Sequence, residues 1–230
     1  MLLAQIQFER RKGDTCVAEN GFCPDWIADN LERYADPFWQ HVFLTVTSVA
    51  IGFVIAFLLA LLAHRKRWLI PPLSVTSQVL YGIPSIALFL LLLPLTGRGN
   101  TTALIALVSY TLIFIFVNVS TGLDNVPDDA IDAARGMGLT ERQLLWRVEV
   151  PLALPEILAG LRIAATTTVG LAALAFFAGA GGLGEEIYAD IGFKSNVAVA
   201  GGLAVLLAVV LDLLILGLQR ALTPWRRATP

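Results

Sequence analysis

Residues 42–63 read VFLTVTSVAIGFVIAFLLALLA, a run of 22 residues without a charged side chain. A helix of about 20 residues crosses a hydrocarbon core of roughly 30 Å, so this run is long enough to span a membrane. Its apolar residues are continuous and do not alternate with polar ones, as those of a membrane β-strand would. The run therefore predicts a transmembrane helix.

Four further apolar runs follow, at about 69–95, 101–121, 157–178 and 197–218; the third of these contains Arg162 near its start. The whole chain is 57% hydrophobic and 15% charged, whereas a soluble domain carries about 25% charged residues. Only helices and closed barrels satisfy their backbone polar groups in lipid. We therefore predict an all-α membrane protein with about five transmembrane helices.

Basic clusters indicate which ends of these spans face the cytoplasm. HRKR (64–67) follows the first span and RALTPWRR (220–227) follows the last. Lys and Arg favour the cytoplasmic side, and an odd number of spans brings both clusters there. We expect the N-terminus outside and the C-terminus inside, with an extracytoplasmic segment (1–40), a membrane domain (41–222) whose loop 122–156 is cytoplasmic, and a cytoplasmic tail (223–230).

Several classes of function are disfavoured by the sequence. The net charge is −2 and no basic stripe is present, so we expect no nucleic-acid partner. His41 and His64 have no partner at metal-ligand spacing, and no Ser/His/Asp or Cys/His set can be assembled on one side of the membrane. We predict that the chain has no metal site and is not itself an enzyme.

Two cysteines, Cys16 and Cys23, close the polar segment CVAENGFC on the predicted outer face. Oxidising compartments permit a disulfide there, which would stabilise the segment by about 2–3 kcal/mol. Two free thiols are the alternative.

The loop that begins at Val126 reads VPDDAIDAARGMGLTERQLLWRVEVPLALPEI. Acidic residues after Pro127 favour a helix start, and Ala130, Ala133, Ala134 and Met137 fall on one predicted face of small side chains. Gly136 and Gly138 end this helix, the capping box of Thr140 and Gln143 begins a second, and Pro151 and Pro155 are expected to stop it. Such a face suits docking against another protein; the alternative is an amphipathic loop packed on its own spans.

The spacing within this loop resembles the EAA-x-x-x-G-x₉-I-x-L-P signature of permease subunits in bacterial ABC importers. DAARGMG (132–138) is followed nine residues later by VEVP (148–151), with Asp in place of Glu and Val in place of Ile and Leu. The resemblance implies that the loop is the coupling helix that docks on an ATP-hydrolysing subunit. The residues it assigns to coupling are Asp132, Ala133, Ala134, Gly138, Val148, Val150 and Pro151.

The same resemblance implies several partners in the bacterial inner membrane. The chain has no G-x-x-x-x-G-K-[ST] motif, so ATP and Mg²⁺ are expected on a separate dimeric ATP-binding subunit, and no cofactor on this chain. An extracytoplasmic substrate-binding protein and a second permease subunit, identical or homologous, are also implied.

Further segments resemble the quaternary-amine branch of these permeases, which imports glycine betaine, carnitine and choline. They are YGIPSIALFLLLLPLTGRGNTTALIAL, TGLDNVP, LPEILAGLR and GAGGLGEEIYADI. An importer of another small solute, such as an amino acid, is the alternative. A secondary transporter would require inverted repeats and mid-membrane charges, whereas Asp212 is the one acid within a predicted span.

Several residues are candidates for the translocation pathway or its gate. Pro84 lies mid-span and predicts a kink, either a hinge or a static bend. Aromatic faces hold choline-like cations, although Tyr81 and Tyr188 also suit packing or interfacial anchoring. Asp212 is a functional candidate or a hydrogen-bonding partner for a neighbouring helix. The full set is Tyr81, Gly82, Pro84, Gly181, Gly184, Tyr188 and Asp212.

The stretch GAGGLGEE (179–186) has the G-x-G-x-x-G spacing of a dinucleotide-binding loop. That motif requires a preceding strand and an anionic ligand, but a predicted span precedes the glycines and Glu185 and Glu186 follow them. We instead predict a flexible break at the end of the fourth span, followed by a short helix at about 184–191.

Overall fold

The computed structural model describes residues 16–224, whose regular secondary structure is helical and includes no strand. The predicted extracytoplasmic residues 1–15 and tail residues 225–230 lie outside the described part. The helices are α1 (Pro24–Asp29), α2 (Ala35–Arg65), α3 (Ile70–Gly82), α4 (Ser85–Thr96), α5 (Asn100–Asp124), α6 (Asp128–Gly136), α7 (Glu141–Leu144), α8 (Val150–Ala172), α9 (Leu183–Ala189) and α10 (Lys194–Leu222). Short 3₁₀ turns cover Leu31–Tyr34, Arg67–Leu69 and Ala175–Ala178, and a π turn covers Leu145–Glu149.

Three helical segments are long and apolar enough to cross a membrane: Leu31–Arg65, Asn100–Asp124 and Lys194–Leu222. The bent pair formed by Arg67–Gly82 and Ser85–Thr96 would be a fourth span at most. Helix α8, which carries most of the predicted span 157–178, is absent from this set; it contains Arg162 and three consecutive threonines. The all-α membrane class is confirmed, while the number of five spans and their orientation stay predictions.

Helix α5 occupies the centre of the bundle and packs against α2, α3, α4 and α8. α5 approaches its neighbours most closely where one of the two helices in contact carries a glycine. Gly52 of α2 faces Thr111, and Gly160 of α8 faces Asn118 and the Phe114 carbonyl. Small residues at such contacts let helix backbones approach closely, which is how helices associate in lipid.

The second predicted span is broken into two helices that meet at an angle of 97° at Ile83 and Pro84. The kink at Pro84 is confirmed, and the run 69–95 forms two helices and not one continuous helix; that the pair crosses the membrane as one span stays a prediction. Proline cannot donate a backbone hydrogen bond, and the Tyr110 hydroxyl donates to the Ile83 carbonyl oxygen over 2.7 Å at the break. A side chain of α5 therefore stabilises the bend.

The expectation that Pro151 and Pro155 stop the second loop helix is also wrong. The chain stays helical from α7 through the π turn into α8, with Pro151 in the first turn of α8 and Pro155 inside it. Proline is tolerated in a first turn, where its missing N–H has no helical partner to lose. The wider π turn ends at Glu149, two residues before Pro151, and the helical path continues through it into α8.

The bundle has two ends, which we name by their contents. The disulfide end comprises residues 16–40, 96–100 and 178–196, and the loop end comprises residues 64–69, 123–151 and 219–224. Gln40 donates to Asn100 and to the Ala180 carbonyl at the disulfide end, and Gln219 donates to the Pro155 carbonyl near the loop end. In the predicted topology the disulfide end is extracytoplasmic.

Candidate functional site

The loop end presents α6 and α7 as two short helices joined by a tight turn. Asp128 and Asp129 lie in the first turn of α6, where acids complement the helix dipole. After Gly136, the Gly138 N–H donates to the Arg135 carbonyl and the Leu139 N–H to the Ala134 carbonyl, over 2.9 and 3.2 Å. This is a Schellman motif, and Gly138 has the positive φ of 82° that the motif requires. The predicted helix break is confirmed.

The predicted capping box is confirmed in full. The Thr140 side chain accepts from the Gln143 N–H, and the Gln143 side chain accepts from the Thr140 N–H over 2.9 Å. These bonds satisfy two backbone donors that a helix start would leave free, so the direction of α7 is fixed relative to α6.

The motif residues divide between the surface and the interior. Asp132, Ala133 and Gly138 are exposed, Ala134 is buried, and Val148, Val150 and Pro151 are partly buried in the π turn and the start of α8. Within the predicted face of small side chains, Ala133 is exposed whereas Ala134 is buried and is a contact by which α6 rests on the rest of the chain. That the exposed part of this face docks on another protein stays a prediction. Met137, 74% exposed, lies one turn after Ala133 and extends the outward face.

A charged cleft of about 1000 Å³ lies between α6, α7 and the ends of α2 and α5. Glu149 of the π turn is buried and its Oε2 lies 3.4 Å from His64 Nε2. Arg67 also lines the cleft and lies 3.4 Å from Asp124. Asp132 and Arg135 are further charged residues in its lining. No local sequence pattern predicts the contact between His64 and Glu149, because the two residues are 85 positions apart.

The glycine stretch at the disulfide end forms a sharp turn between α8 and α9. Gly179, Gly181 and Gly182 have positive φ values of 76°, 73° and 91°, which favour glycine. A Cβ on Gly184 would clash with the Ala173 backbone carbonyl, so α9 packs directly on the end of α8. The predicted short helix is confirmed as Leu183–Ala189, and nothing in its geometry resembles the strand–turn–helix of a dinucleotide site.

The segment closed by cysteines docks on the start of α10. A disulfide joins Cys16 and Cys23. The Cys23 N–H donates to the Ser195 hydroxyl over 2.7 Å, and that hydroxyl donates to the Gly21 carbonyl over 3.1 Å. The Trp26 ring meets the Phe193 ring edge-on at 4.7 Å. The segment is thereby held on the junction between α9 and α10.

Helix α9 is also tied to the segment that precedes α2. Arg33 donates to the Glu186 carboxylate over 2.7 Å. The Tyr34 hydroxyl donates to Asn196, and the Asn196 side chain donates to the Glu186 carbonyl over 2.5 Å. His41 is fully buried nearby, with Nε2 3.0 Å from the Val169 carbonyl oxygen.

The two pathway candidates with aromatic rings lie in different clusters. Tyr81 contacts Tyr110 and Phe114, with ring centroids 5.9 and 5.1 Å apart, next to the break at Gly82 and Pro84. Tyr188 contacts Phe176 and Phe177 beside the glycine turn. The structure does not bring Tyr81 and Tyr188 together.

Asp212 of α10 pairs with Arg162 of α8. Arg162 Nε and Nη2 donate to the two carboxylate oxygens, each over 2.8 Å. The sequence offered the signal for this pair, since each residue is an isolated charge of opposite sign within an apolar run. Among residues 16–224, no group of three or more His, Cys, Asp or Glu residues is arranged to hold a metal ion.

Comparison with known proteins shows which family this chain matches. The family model described as "Binding-protein-dependent transport system inner membrane component" matches residues 48–228. The osmoprotectant import permease protein OsmW of Salmonella typhimurium is 39% identical over 206 residues, which cover 86% of this chain and 96% of OsmW. The choline transport system permease protein OpuBB of Bacillus subtilis is 30% identical over 81% of this chain and 87% of its own length.

A solved structure has a similar fold. A chain of the MetNI methionine ABC transporter, in an inward-facing conformation, superposes with a TM-score of 0.75 at 27% identity. The match covers 83% of this chain and 96% of that chain.

Proposed function

Because this chain belongs to the family of binding-protein-dependent transport system inner membrane components, we propose that it forms the membrane pathway of an ATP-driven importer of quaternary-amine osmoprotectants. The observation that carries the substrate class is the 39% identity to OsmW over most of both chains. Carnitine and choline permeases among the relatives support the same class. Glycine betaine, carnitine and choline share a trimethylammonium group, which makes that group the common recognition element.

The loop end is the proposed docking site for the ATP-binding subunit. Ala133 and Met137 are exposed, while the neighbouring Ala134 is buried against the rest of the chain and anchors α6. The Schellman turn at Gly138 and the capping box hold α7 at a fixed angle to α6. The continuous helical path from α7 into α8 then provides a mechanical link from this docking surface to the pathway.

The family implies the other subunits of the importer. ATP and Mg²⁺ bind to a separate dimeric ATP-binding subunit, so this chain is not an enzyme by itself. A substrate-binding protein delivers the solute at the disulfide end, and a second permease subunit, identical or homologous, encloses the pathway. The assembly lies in the bacterial inner membrane, with five spans per permease and the disulfide end outside.

A second candidate function is the import of an amino acid. The likeness to a chain of the methionine transporter MetNI favours it. We rank it second because OsmW is more similar in sequence, at 39% identity against 27%.

The test is ATP hydrolysis by the reconstituted complex of permease, ATP-binding subunit and binding protein. We expect binding protein loaded with choline, carnitine or glycine betaine to stimulate hydrolysis, and methionine to leave it at the basal rate. Stimulation by methionine alone would support the second candidate and contradict the first.

The docking surface can be tested with a matched pair of substitutions at exposed alanines. Ala133→Arg places a bulky charge on the outward face of α6, whereas Ala28→Arg places the same charge on α1 at the disulfide end. Ala133→Arg should abolish co-purification with the ATP-binding subunit, and Ala28→Arg should preserve it. Equal co-purification of both variants would contradict docking through α6.

A further inference from the structure

Three aromatic rings meet beside the glycine turn at the disulfide end. The Phe176 ring centroid lies 4.2 Å from that of Phe177 and 4.9 Å from that of Tyr188, and Phe176 stacks on the Tyr188 ring with an interplanar angle of 29°. Tyr188 is nevertheless 60% exposed. One face of the Tyr188 ring is therefore supported by Phe176, and much of the ring remains open to a ligand.

The exposed side of α9 has the character of a surface in contact with water. Glu185, one turn before Tyr188, is exposed, and so is Asp190, which follows the helix. Carboxylates are too costly to place against hydrocarbon without a partner. Within residues 16–224, no ion pair involves Glu185 or Asp190. Their charges raise the local concentration of cations at the Tyr188 ring.

Helix α9 is held firmly, so the ring is positioned before any ligand arrives. Leu183 is fully buried and Gly184 rests against the Ala173 carbonyl. Glu186, on another side of the helix, is paired with Arg33, and its carbonyl accepts from Asn196. Of the basic residues near the glycine turn, Arg33 is thereby engaged by Glu186, and Arg98 lies beside Gly179. A preorganised site loses less free energy in ordering its side chains when it binds.

We infer that Phe176, Phe177 and Tyr188, with Glu185, form a binding site for the trimethylammonium group of the imported solute. This inference rests on the proposed function. A trimethylammonium group has no N–H to donate, so hydrogen bonds cannot recognise it, whereas the electron-rich face of an aromatic ring attracts it. Tyr188 supplies that face, Phe176 and Phe177 support it, and Glu185 supplies the electrostatic attraction. The solute would meet this site as the binding protein releases it.

The second aromatic cluster fits this role less well. Tyr81 is 42% exposed, but its cluster partner Tyr110 is buried and uses its hydroxyl for the Ile83 carbonyl. No exposed carboxylate precedes Tyr81 within a turn of α3. The cluster around Tyr188 is the one that combines an open ring with unpaired negative charge.

Direct binding provides the first test, with the full-length permease in lipid nanodiscs. Saturation-transfer NMR would follow the methyl protons of choline and of 3,3-dimethylbutan-1-ol, the uncharged carbon analogue of choline. The wild type and Tyr188→Phe, which keeps the ring, should both bind choline, and neither should bind the analogue comparably. Tyr188→Leu should bind choline roughly two- to fivefold more weakly, the range expected for an exposed cation–π contact.

Glu185→Gln tests the electrostatic part of the site. Since the charge acts through a solvent-exposed field, the variant should weaken choline binding at low salt and match the wild type near 1 M salt. Equal affinity of Tyr188→Leu and Tyr188→Phe for choline would overturn the inference, as would equal binding of choline and its uncharged analogue.

Transport by the full complex in proteoliposomes separates this inference from the proposed function. If the wild-type complex imports no quaternary amine, the proposed function fails. If the wild type and Tyr188→Phe import choline and Tyr188→Leu imports it equally fast at subsaturating binding protein, the function stands and the site fails. We expect slower import of choline by Tyr188→Leu than by Tyr188→Phe.

Discussion

Arg162 of α8 and Asp212 of α10 form a bidentate ion pair in which both nitrogen–oxygen distances are 2.8 Å. Asp212 lies ten residues before the end of α10 at Leu222, which places it about 15 Å along the helix from that end. Each side chain is 30% exposed. The pair allows two charges to occupy the middle of apolar helices, and it fixes α10 against α8.

Removing one member of this pair should destabilise the protein more than removing both. Asp212→Asn leaves Arg162 without its charged partner, and an unpaired charge within an apolar helix is unfavourable. The double variant Arg162→Leu with Asp212→Leu leaves no charge behind. Thermal unfolding in detergent should show a lower Tm for the single variant than for the double variant, and the reverse order would refute the pairing.

Close packing of α5 and α8 at Gly160 gives a second prediction. A Cβ on Gly160 would lie 2.9 Å from the Phe114 carbonyl oxygen, whereas Gly170 of the same helix has no atom within 4 Å of such a Cβ. Gly160→Ala should reduce the free energy of unfolding by about 1–3 kcal/mol. Gly170→Ala should leave it unchanged or raise it by up to about 1 kcal/mol, through helix propensity.

Chemical unfolding of the two alanine variants beside the wild type measures the difference. Equal stabilities would show that α5 and α8 do not approach each other as closely as the structure has them.

Two glycines near the end of α6, Gly136 and Gly138, can be substituted as a matched pair. Gly138 has a φ of 82°, whereas Gly136 lies within α6 and has open space around it. Alanine at Gly138 should cost about 1–2 kcal/mol, because a Cβ is unfavourable in the left-handed region. Alanine at Gly136 should cost nothing.

Because the turn sets the direction of α7, Gly138→Ala should also weaken co-purification with the ATP-binding subunit, and Gly136→Ala should not. Weaker association of Gly136→Ala, together with normal association of Gly138→Ala, would contradict this role of the turn.

The disulfide gives a prediction about local stability. Cys16→Ser with Cys23→Ser removes a link worth about 2–3 kcal/mol for a short loop. Amide hydrogen exchange should accelerate in residues 19–27 and at the start of α10 around Ser195, while exchange in α5 stays slow.

Ser195→Ala serves as the control, since it keeps the disulfide and removes the two hydrogen bonds to the segment. It should accelerate exchange in the same region by a smaller factor. Unchanged exchange in both variants would mean that the segment is not docked on α10.

Local features of this fold could be predicted because their causes are local. Gly136 and Gly138 end a helix, Thr140 and Gln143 begin one, and the glycines around Gly181 interrupt one, each through residues within one or two turns. The apolar runs likewise gave the membrane class from composition and length alone.

The errors arose where a distant residue decides the outcome. Pro84 predicted a kink, but at the 97° bend the Ile83 carbonyl accepts a hydrogen bond from Tyr110, 27 positions away from Ile83 on α5. Ala133 and Ala134 looked equivalent in the pattern, yet Ala134 is buried by the rest of the chain. The pairing of Arg162 with Asp212 required knowing that α8 and α10 are neighbours.

The proposed function requires this chain to form the pathway of an importer that is driven by a separate ATP-binding subunit and fed by a binding protein. The most direct measurement is uptake of radiolabelled choline into proteoliposomes that contain the permease, with each partner added or left out. We predict ATP-dependent uptake when the ATP-binding subunit and the binding protein are both present, and none when either is missing. Uptake by the purified permease alone would contradict the claim and identify a self-sufficient transporter.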